Sequence, residues 1–545
     1  MSKNKEGTAA LGGTLLAGCG TQASAVPSKW DATTDVVVIG FGGAGACAAI
    51  AAVDAGSSVI VLEKSPIPDG GNTGCSTGLI HTAPFADQAE WTEKIIHGVY
   101  GTVPKDTIGA MVSHALSTPV WLEKIGINLK WTPIHGAANS SIIKVTPNMP
   151  LRYSIGTVAS RKGSEGRFLW EAIREVVESR HISVHLGTPA KELIQNPITK
   201  EIIGVKAKTA AGEDYYVKAL KGVVMALGGY ENNAWKQGQY NQPGVRLYPW
   251  GTPYNTGDGI DMACRVGASL WHLHALEWSS VNFRLASEKA NCSVSTNSTT
   301  GITPYNHIFV NQFGKRFMNE SKNMNHDIST KRILDFDPAA NEYANLPFYL
   351  VFDSTMFNKG PLYTGSGRSG VVNTYAGVQG LCDWGPDNAR ALERGWIFSG
   401  KTVEELAASI KGTTPSEKEV GCDRATLAKT IADFNRYAIE GVDPEFGRPA
   451  KKMAPLESPP YYAIEMGLST INTQGGAQRN GNCQVLDVEG QPIPRLFSAG
   501  EFGSLNGYVY VFGNIFEALT TGHVAGEQVA QLKAWEAEQF SVKLE

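Results

Sequence analysis

The sequence has no cluster of basic residues, and charged residues make up only 18% of its 545 residues, with a formal net charge of −4. This balance gives no electrostatic reason to expect a nucleic-acid partner. The eight cysteines are dispersed, without a CxxC pair or a zinc-like spacing. We therefore predict no metal site from local spacing, although ligands far apart in sequence, including those of an iron–sulfur cluster, stay open.

Long hydrophobic runs are also missing, since no segment has about 18 consecutive apolar residues as a membrane-spanning helix would need. A shorter apolar run, residues 8–18, is typical of a signal peptide and ends at Cys19. Residues 16–19 resemble a bacterial lipobox with Cys19 as the lipid anchor, whereas residues 23–25 offer a plain cleavage site instead. The twin-arginine pair is absent, but we expect export to the periplasm or the extracytoplasmic face of the cell membrane.

Residues 34–63 have the pattern of a nucleotide-binding βαβ unit. Their apolar start predicts a buried parallel strand, and Gly40, Gly42 and Gly45 then form the pattern GxGxxG. Glycines there permit a tight turn and let backbone N–H groups approach a pyrophosphate at a helix N-terminus. Glu63 follows 18 residues after Gly45, where its carboxylate can bind a ribose hydroxyl. A dinucleotide-binding enzyme is therefore expected.

The rest of the chain is expected to form more than one domain, because 545 residues exceed a single core. Residues 183–229 alternate like strands and end in the glycine turn Gly228-Gly229, which predicts a return to the same sheet. Helical patterning covers about 87–125 and 258–265. Residues 280–455 are polar and loop-rich, which suggests an inserted domain, and the end of the chain returns to a strand, a loop and a long helix.

Helix and strand ends carry two further expectations. Asp258 is predicted to cap the helix that starts in TGDG. His272 and His274 alternate on a probable strand beside Trp271 and Trp278, and we interpret this face as packed aromatic residues that also suit a flat, apolar pocket.

Seven motifs follow one another along residues 34–530: GFGGAG with Glu63, GGNT at 70–73, ALGG at 226–229, TGDG at 256–259, GKRFMNE at 314–320, QGG at 474–476 and SAGE at 498–501. In this order they resemble the flavoprotein family that includes soluble fumarate reductases and 3-ketosteroid dehydrogenases. The resemblance implies FAD rather than NAD. It also implies an α/β fold, with a discontinuous Rossmann-like FAD-binding domain and an inserted α+β cap domain.

The expected domains follow from this resemblance and the changes in texture. They are a leader and linker at 1–29, the FAD-binding domain at 30–279 and 456–535, the substrate-binding cap domain at 280–455, and a tail at 536–545.

The resemblance also implies which residues hold FAD. Asn72, Thr73, Asp258 and Glu501 would contact its ribitol or pyrophosphate side, and the last helix would point its positive end at the flavin pyrimidine, which stabilises the reduced ring. Covalently flavinylated relatives carry a His where this chain has Asn72, so noncovalent FAD is expected. The expected cofactor-binding residues are Gly40, Gly42, Gly43, Ala44, Gly45, Glu63, Lys64, Gly71, Asn72, Thr73, Gly78, Pro189, Ala226, Gly228, Gly229, Asp258, Gly500, Glu501, Asn514 and Ile515.

The substrate site departs from the fumarate reductases, which grip two carboxylates with His and Arg and donate a proton from an Arg. The matching positions here are Ser279, Asn472 and Tyr510 for the gripping residues and Met324 for the proton donor. A buried dicarboxylate would be left unpaired at these positions. The resemblance therefore argues against fumarate and succinate.

Tyr510 resembles instead a Tyr of the ketosteroid dehydrogenases that, with a backbone N–H four residues later, donates to the substrate's ketone oxygen. In this chain Tyr510 is followed by Gly513 and Asn514, so a tyrosine hydroxyl and a backbone N–H are available as the same two donors. Such donors stabilise a developing enolate. The alternative that Tyr510 only packs with neighbouring aromatic residues stays open. Candidate proton donors are Tyr305, Tyr508, His307 and His326, and for each of them a structural role is also open.

The leading interpretation is a FAD-dependent reductase that transfers hydride to the activated C=C of an apolar enone or enoate, such as a steroid-like ring or lactone. One alternative is a ketosteroid-type dehydrogenase working in the oxidative direction, against which the missing Tyr base at Met324 counts. Another is a non-catalytic flavin electron carrier. Because no CxxCH haem motif is present, electrons would come from an external donor, either a membrane quinol-linked partner or another redox protein, and NADPH stays open.

Overall fold

The computed structural model describes residues 26–76, 78, 80–82, 88–135, 152–158, 166–242, 244–245, 247–249, 251–284, 293–295, 305–321, 332–362, 384–507 and 513–535. Residues 1–25, which include Cys19 and most of the predicted leader and linker at 1–29, lie outside the described residues, as does the predicted tail at 536–545. Among the helices described, none is both long enough and apolar enough to cross a membrane.

The strands are β1 Ala32–Ile39, β2 Val59–Leu62, β3 Ile80–Thr82, β4 Leu129–His135, β5 Arg152–Val158, β6 Ser183–His185, β7 Ala190–Gln195, β8 Ile202–Lys208, β9 Asp214–Met225, β10 Leu247–Pro249, β11 Leu270–Trp271, β12 Leu276–Arg284, β13 Ser293–Ser295, β14 His307–Asn311, β15 Phe336–Asp337, β16 Glu342–Tyr343, β17 Phe348–Asp353, β18 Ile397–Gly400, β19 Gly412–Thr413, β20 Glu419–Val420, β21 Tyr461–Thr473, β22 Gly476–Ala477, β23 Gln484–Leu486 and β24 Pro492–Ser498. The α-helices are α1 Gly43–Asp54, α2 Gly71–Cys75, α3 Gln88–Gly98, α4 Lys105–Lys124, α5 Gly166–Ser179, α6 Ala234–Tyr240, α7 Asp258–Arg265, α8 Ser354–Phe357, α9 Ala389–Glu393, α10 Val403–Ser409, α11 Arg424–Glu440 and α12 Asn514–Ala530.

The first sheet is built around β1, which pairs in parallel with β2 on one side and β9 on the other. β6 extends the sheet beyond β2, and β24 extends it beyond β9, again in parallel. Side chains of β1 alternate between two cores, with Val36 and Val38 on one face and Val37 and Ile39 on the other. The predicted buried strand, the βαβ unit and the return of β9 to the same sheet are confirmed.

The first and last helices of this domain lie against each other. A Cβ at Gly522 of α12 would stand 2.3 Å from the carbonyl oxygen of Ala44 in α1, and a Cβ at Gly526 would stand 2.3 Å from that of Ala48. Because glycines four residues apart face the same side of a helix, they let the two backbones approach closely. This contact joins the two ends of the sequence into one α/β domain.

The second sheet has β21 at its centre. β21 pairs antiparallel with β12, β17 and β18 and parallel with β10, while β13 and β14 lie at the edges. The boundary predicted between residues 279 and 280 falls inside β12, and the predicted domain at 456–535 includes β21. Strand pairing places both strands in the second sheet. Such pairing joins segments that are distant in sequence, so the alternation of side chains within one strand does not predict it. We therefore propose that the cap domain includes residues 276–284 and 461–473.

Three local predictions are corrected. The helical pattern over residues 87–125 divides into α3 and α4. Asp258 is the first residue of α7 rather than its cap, because Gly257 adopts the left-handed conformation with φ +76° and takes the N-cap position. β11 ends at Trp271, so His272, with φ +53°, lies in a turn, and His274 is exposed.

Candidate active site

A cleft opens at the carboxyl ends of β1, β2 and β9, where parallel α/β sheets bind ligands. It extends from the turn after β1 to Glu501, which follows β24. The residues of the expected cofactor set that line it are Gly40, Gly42, Gly43, Ala44, Glu63, Lys64, Gly71, Asn72, Thr73, Pro189, Ala226, Gly228, Asp258 and Glu501. Those that do not line it are Gly45, Gly78, Gly229, Gly500, Asn514 and Ile515.

The turn after β1 and the first residues of α1 accept only glycine at two positions. Gly40 has φ +101°, and a Cβ there would stand 2.2 Å from the carbonyl oxygen of Ala226. A Cβ at Gly45 would stand 2.0 Å from the carbonyl oxygen of Gly40. The turn thus brings the N-terminus of α1 to the cleft, where its N–H groups and positive dipole favour an anion such as a pyrophosphate.

Glu63 and Thr73 lie on either side of this turn. The Glu63 carboxylate accepts hydrogen bonds from the backbone N–H groups of Phe41 and Ser65, both at 2.6 Å, and burial raises its pKa. Thr73 Oγ1 accepts from the N–H of Gly43 at 3.1 Å. Both side chains are therefore held at the rim of an anion-binding helix end.

Lys64 and Asp258 form an ion pair in the same cleft. Lys64 Nζ lies 2.7 Å from Asp258 Oδ2 and 2.6 Å from Thr256 Oγ1. Burial works to raise the pKa of Asp258, but the hydrogen bond and charge of Lys64 outweigh it, so the pKa is lowered. The one cationic side chain among the described lining residues is thus already paired.

Asn72 links two carboxyl groups at the cleft wall, of which Glu501 is half-buried. Its Nδ2 lies 2.9 Å from Glu231 Oε1 and 3.1 Å from each carboxylate oxygen of Glu501, while its Oδ1 accepts from the N–H of Thr252 at 2.9 Å. Glu231 is fully buried. Burial raises the pKa of both carboxyls, and for Glu501 the negative charge of Glu231 adds to the effect.

The loop after β24 is tied to the start of α12 by buried polar groups. Arg479 donates to the carbonyls of Gly500 and Phe502 at 3.0 and 3.1 Å and forms an ion pair with Glu517. Glu517 also accepts from Ser504 Oγ at 2.6 Å. This network fixes Glu501 relative to the N-terminus of α12, which the predicted role of Asn514 and Ile515 requires.

Four predicted substrate or proton-transfer residues, Tyr508, Tyr510, Met324 and His326, lie outside the described residues. Ser279 lies on β12 where the register with β21 shifts. Asn472 is buried at the end of β21, and its side chain hydrogen-bonds to Glu501. The structure therefore brings Asn472 to the carboxyl pair.

Two candidate proton donors lie in the second sheet's domain, among residues that do not line the cleft. The hydroxyl of Tyr305 accepts from Lys452 Nζ at 2.7 Å. His307 is buried on β14, and its carbonyl accepts from Arg448 at 2.8 Å. These contacts therefore support a structural role for Tyr305 and His307, and their catalytic roles stay predictions.

Sequence reasoning did not find Glu231, Asn255, Arg479 or Glu517. Glu231 follows the glycine turn Gly228-Gly229 with one residue between, and that position is the signal that could have found it. Arg479 and Glu517 carry no local signal, because they meet only through the fold. In the described part of the chain, no group of three or more His, Cys, Asp or Glu side chains could hold a metal ion.

The cleft fits a flavin dinucleotide in three respects: a glycine turn that side chains would fill, a helix N-terminus for the pyrophosphate, and a carboxylate at the end of β2 for the ribose. These features define an α/β dinucleotide-binding protein. The chain belongs to the FAD binding domain family, whose sequence pattern it matches over residues 35–514. It is a FAD-dependent enzyme of the group that acts on CH–CH and C=C bonds.

Known proteins resemble it over nearly its whole length. It is 26% identical over 514 residues to a probable fumarate reductase of Shewanella frigidimarina, covering 92% of this chain and 75% of the relative. It is 25% identical to the digoxin reductase of Eggerthella lenta, covering 97% and 96% of the two chains. The crystal structure of 3-ketosteroid Δ1-dehydrogenase from Sterolibacterium denitrificans shares the fold, with a TM-score of 0.71 at 22% identity over 91% of this chain and 99% of that one.

Proposed function

We propose that this chain reduces the activated C=C of a largely apolar α,β-unsaturated carbonyl compound, such as a steroid-like enone or lactone. FAD supplies the hydride from its N5 atom. The observation that most directly supports this substrate class is Asn472. Its neutral amide hydrogen-bonds to Glu501 at the position where the resemblance implies a His that binds a substrate carboxylate. Because Glu231 and Glu501 lie next to it, a substrate dianion would meet negative charge in this part of the described site.

The start of α12 supports the carbonyl-binding part of the proposal. The first N–H groups of a helix have no partner within the helix, and its positive end favours negative charge. Tyr510 would donate its hydroxyl hydrogen to the substrate's carbonyl oxygen, and the N–H of Gly513 or Asn514 would donate the second hydrogen bond. Together they would stabilise the enolate that develops when hydride reaches the conjugated carbon.

One relative supports this substrate class. The digoxin reductase of Eggerthella lenta aligns over almost all of both chains.

We further propose that FAD is bound noncovalently, that an external redox protein or quinol-linked partner reduces it, and that residues 8–19 direct export.

The test is anaerobic reoxidation of the viologen-reduced holoenzyme by fumarate, urocanate, a cinnamate, a 3-keto-4-ene steroid and a cardenolide. We expect the steroid or the cardenolide to reoxidise the flavin fastest. Tyr510→Phe should slow that rate about 10²- to 10³-fold, the usual loss for one oxyanion donor. Tyr100→Phe changes an exposed tyrosine that does not line the cleft; it is the matched control and should keep most of the rate. Reoxidation by fumarate alone would reject the proposal, and no reoxidation by any compound would favour the electron-carrier alternative.

A further inference from the structure

Glu231 and Glu501 meet at the wall of the cleft although they lie far apart in sequence. One amide nitrogen, Asn72 Nδ2, is within 3.1 Å of three of their four carboxylate oxygens. The fourth oxygen, Glu231 Oε2, accepts from Thr473 Oγ1 at 3.2 Å. Glu501 lines the cleft and Glu231 is fully buried behind it.

The groups around this pair are neutral donors or further acids. Asn255 Nδ2 donates to Glu231 Oε1 at 2.8 Å, and Asn72 and Asn472 donate to Glu501. From α12, Glu517 faces Glu501 and adds negative charge, while its partner Arg479 is turned to Glu517 and two backbone carbonyls. In the chain as described, no Lys or Arg contacts either carboxyl of the pair. Two adjacent carboxylates, Glu231 fully buried and Glu501 half-buried, are too costly to ionise together without a cation.

Asn472 provides a second, independent indication that the carboxyl pair holds a proton. Its Oδ1 is buried and has no hydrogen-bond partner among the described residues, although the same amide bonds to Glu501. An unsatisfied buried acceptor is uncommon and costs free energy. A protonated Glu501 would donate its hydrogen to that oxygen and remove this cost.

We propose that Glu231 and Glu501 hold one proton between them and take up a second from solvent when the bound FAD is reduced. Two equivalents of reduced viologen, each giving one electron, would reduce the bound FAD; one proton would go to the flavin ring, and the second would neutralise the remaining carboxylate. The charge gained by the cofactor drives this uptake, because Glu501 borders the cleft that holds it. Glu231 acts through Glu501 and is therefore a positioning residue. The inference needs bound FAD but no particular substrate.

The test is the pH dependence of the flavin midpoint potential in the holoenzyme, measured anaerobically by dye equilibration between pH 6 and 8. Each proton taken up with two electrons contributes about 30 mV per pH unit, so the native enzyme should show about 60 mV. In Glu231→Gln the negative neighbour is lost, Glu501 stays ionised, and the slope should fall to about 30 mV per pH unit.

Glu489→Gln removes an exposed acid and is the matched control, which should keep the native slope. A slope of about 30 mV per pH unit in the native enzyme, or an unchanged slope in Glu231→Gln, would overturn the proposal. If Glu231→Gln does not bind FAD, redox-difference infrared spectra of native enzyme with ¹³C-labelled Glu decide the question. Reduction should increase the protonated-carboxyl signal, and no increase would also overturn it.

Discussion

At the scale of single residues, His272 shows how one side chain supports the loop that leads to the active site. Its Nδ1 lies 2.7 Å from the carbonyl oxygen of Ser504, its Nε2 lies 3.1 Å from Thr102 Oγ1, and its ring stacks on Trp271. These contacts hold a backbone conformation, φ +53°, that residues other than glycine seldom adopt. Burial lowers the pKa of His272 to about 4, so the ring stays neutral at pH 7.

This burial predicts a loss of stability in acid. An unfolded His has a pKa near 6.5, so between about pH 6.5 and 4 the unfolded chain binds a proton that the folded chain does not. The unfolding free energy should therefore fall by up to about 2 kcal/mol between pH 7 and pH 5 through His272 alone. His272→Gln should lack this share of the loss in urea titrations at each pH.

The comparison needs a second histidine. His97→Gln removes an exposed ring and should lose the same stability as the native chain over this pH range. If His272→Gln and His97→Gln follow one pH dependence, the neutral, buried state of His272 is wrong.

At the scale of secondary structure, the contact between α1 and α12 depends on glycine. A methyl group at Gly522 would press against the backbone of Ala44, so Gly522→Ala should destabilise the protein by about 1–3 kcal/mol. Gly109→Ala is the control, because Gly109 lies within α4 and an added Cβ meets nothing within 4 Å. It should stabilise by about 0.5–1 kcal/mol. Thermal and urea unfolding measure both, and equal shifts would contradict the close approach.

Local patterns account for what the sequence predicts well. The glycines of the first turn, the strand before them and Glu63 are neighbours in sequence, so their arrangement needs no knowledge of the rest of the fold. Membership of β21 in the second sheet depends on β12 and β17, which are distant in sequence. The same reason explains why Asn72 was predicted at the cofactor and its partner Glu231 was not.

At the scale of the whole molecule, FAD binding should raise the free energy of unfolding. The cleft is built from segments near residues 40, 72, 258 and 501, and a ligand that bridges them binds only the folded chain. At a free FAD concentration about 100 times its Kd, binding adds about 2.7 kcal/mol. The apoprotein should therefore unfold at a lower temperature than the holoprotein, as calorimetry would measure.

Asn72 supports the prediction that FAD is bound noncovalently. It stands where covalently flavinylated relatives carry a His, and its amide is already held by Glu231, Glu501 and the N–H of Thr252. Acid precipitation should leave all flavin in the supernatant. Yellow, flavin-bearing protein in the pellet would show a covalent bond and refute the noncovalent assignment.

The packing of α1 against α12 also has a consequence for how the chain is made. α1 leaves the ribosome before α12, which begins 460 residues after α1 ends, at residue 514. At about 5–20 residues per second, translation between them takes on the order of half a minute or more. During that time the apolar face of α1 lacks its permanent cover, and exposed apolar surface of this kind makes a nascent chain prone to aggregation. A message truncated before codon 514 would yield a chain that cannot close its nucleotide fold.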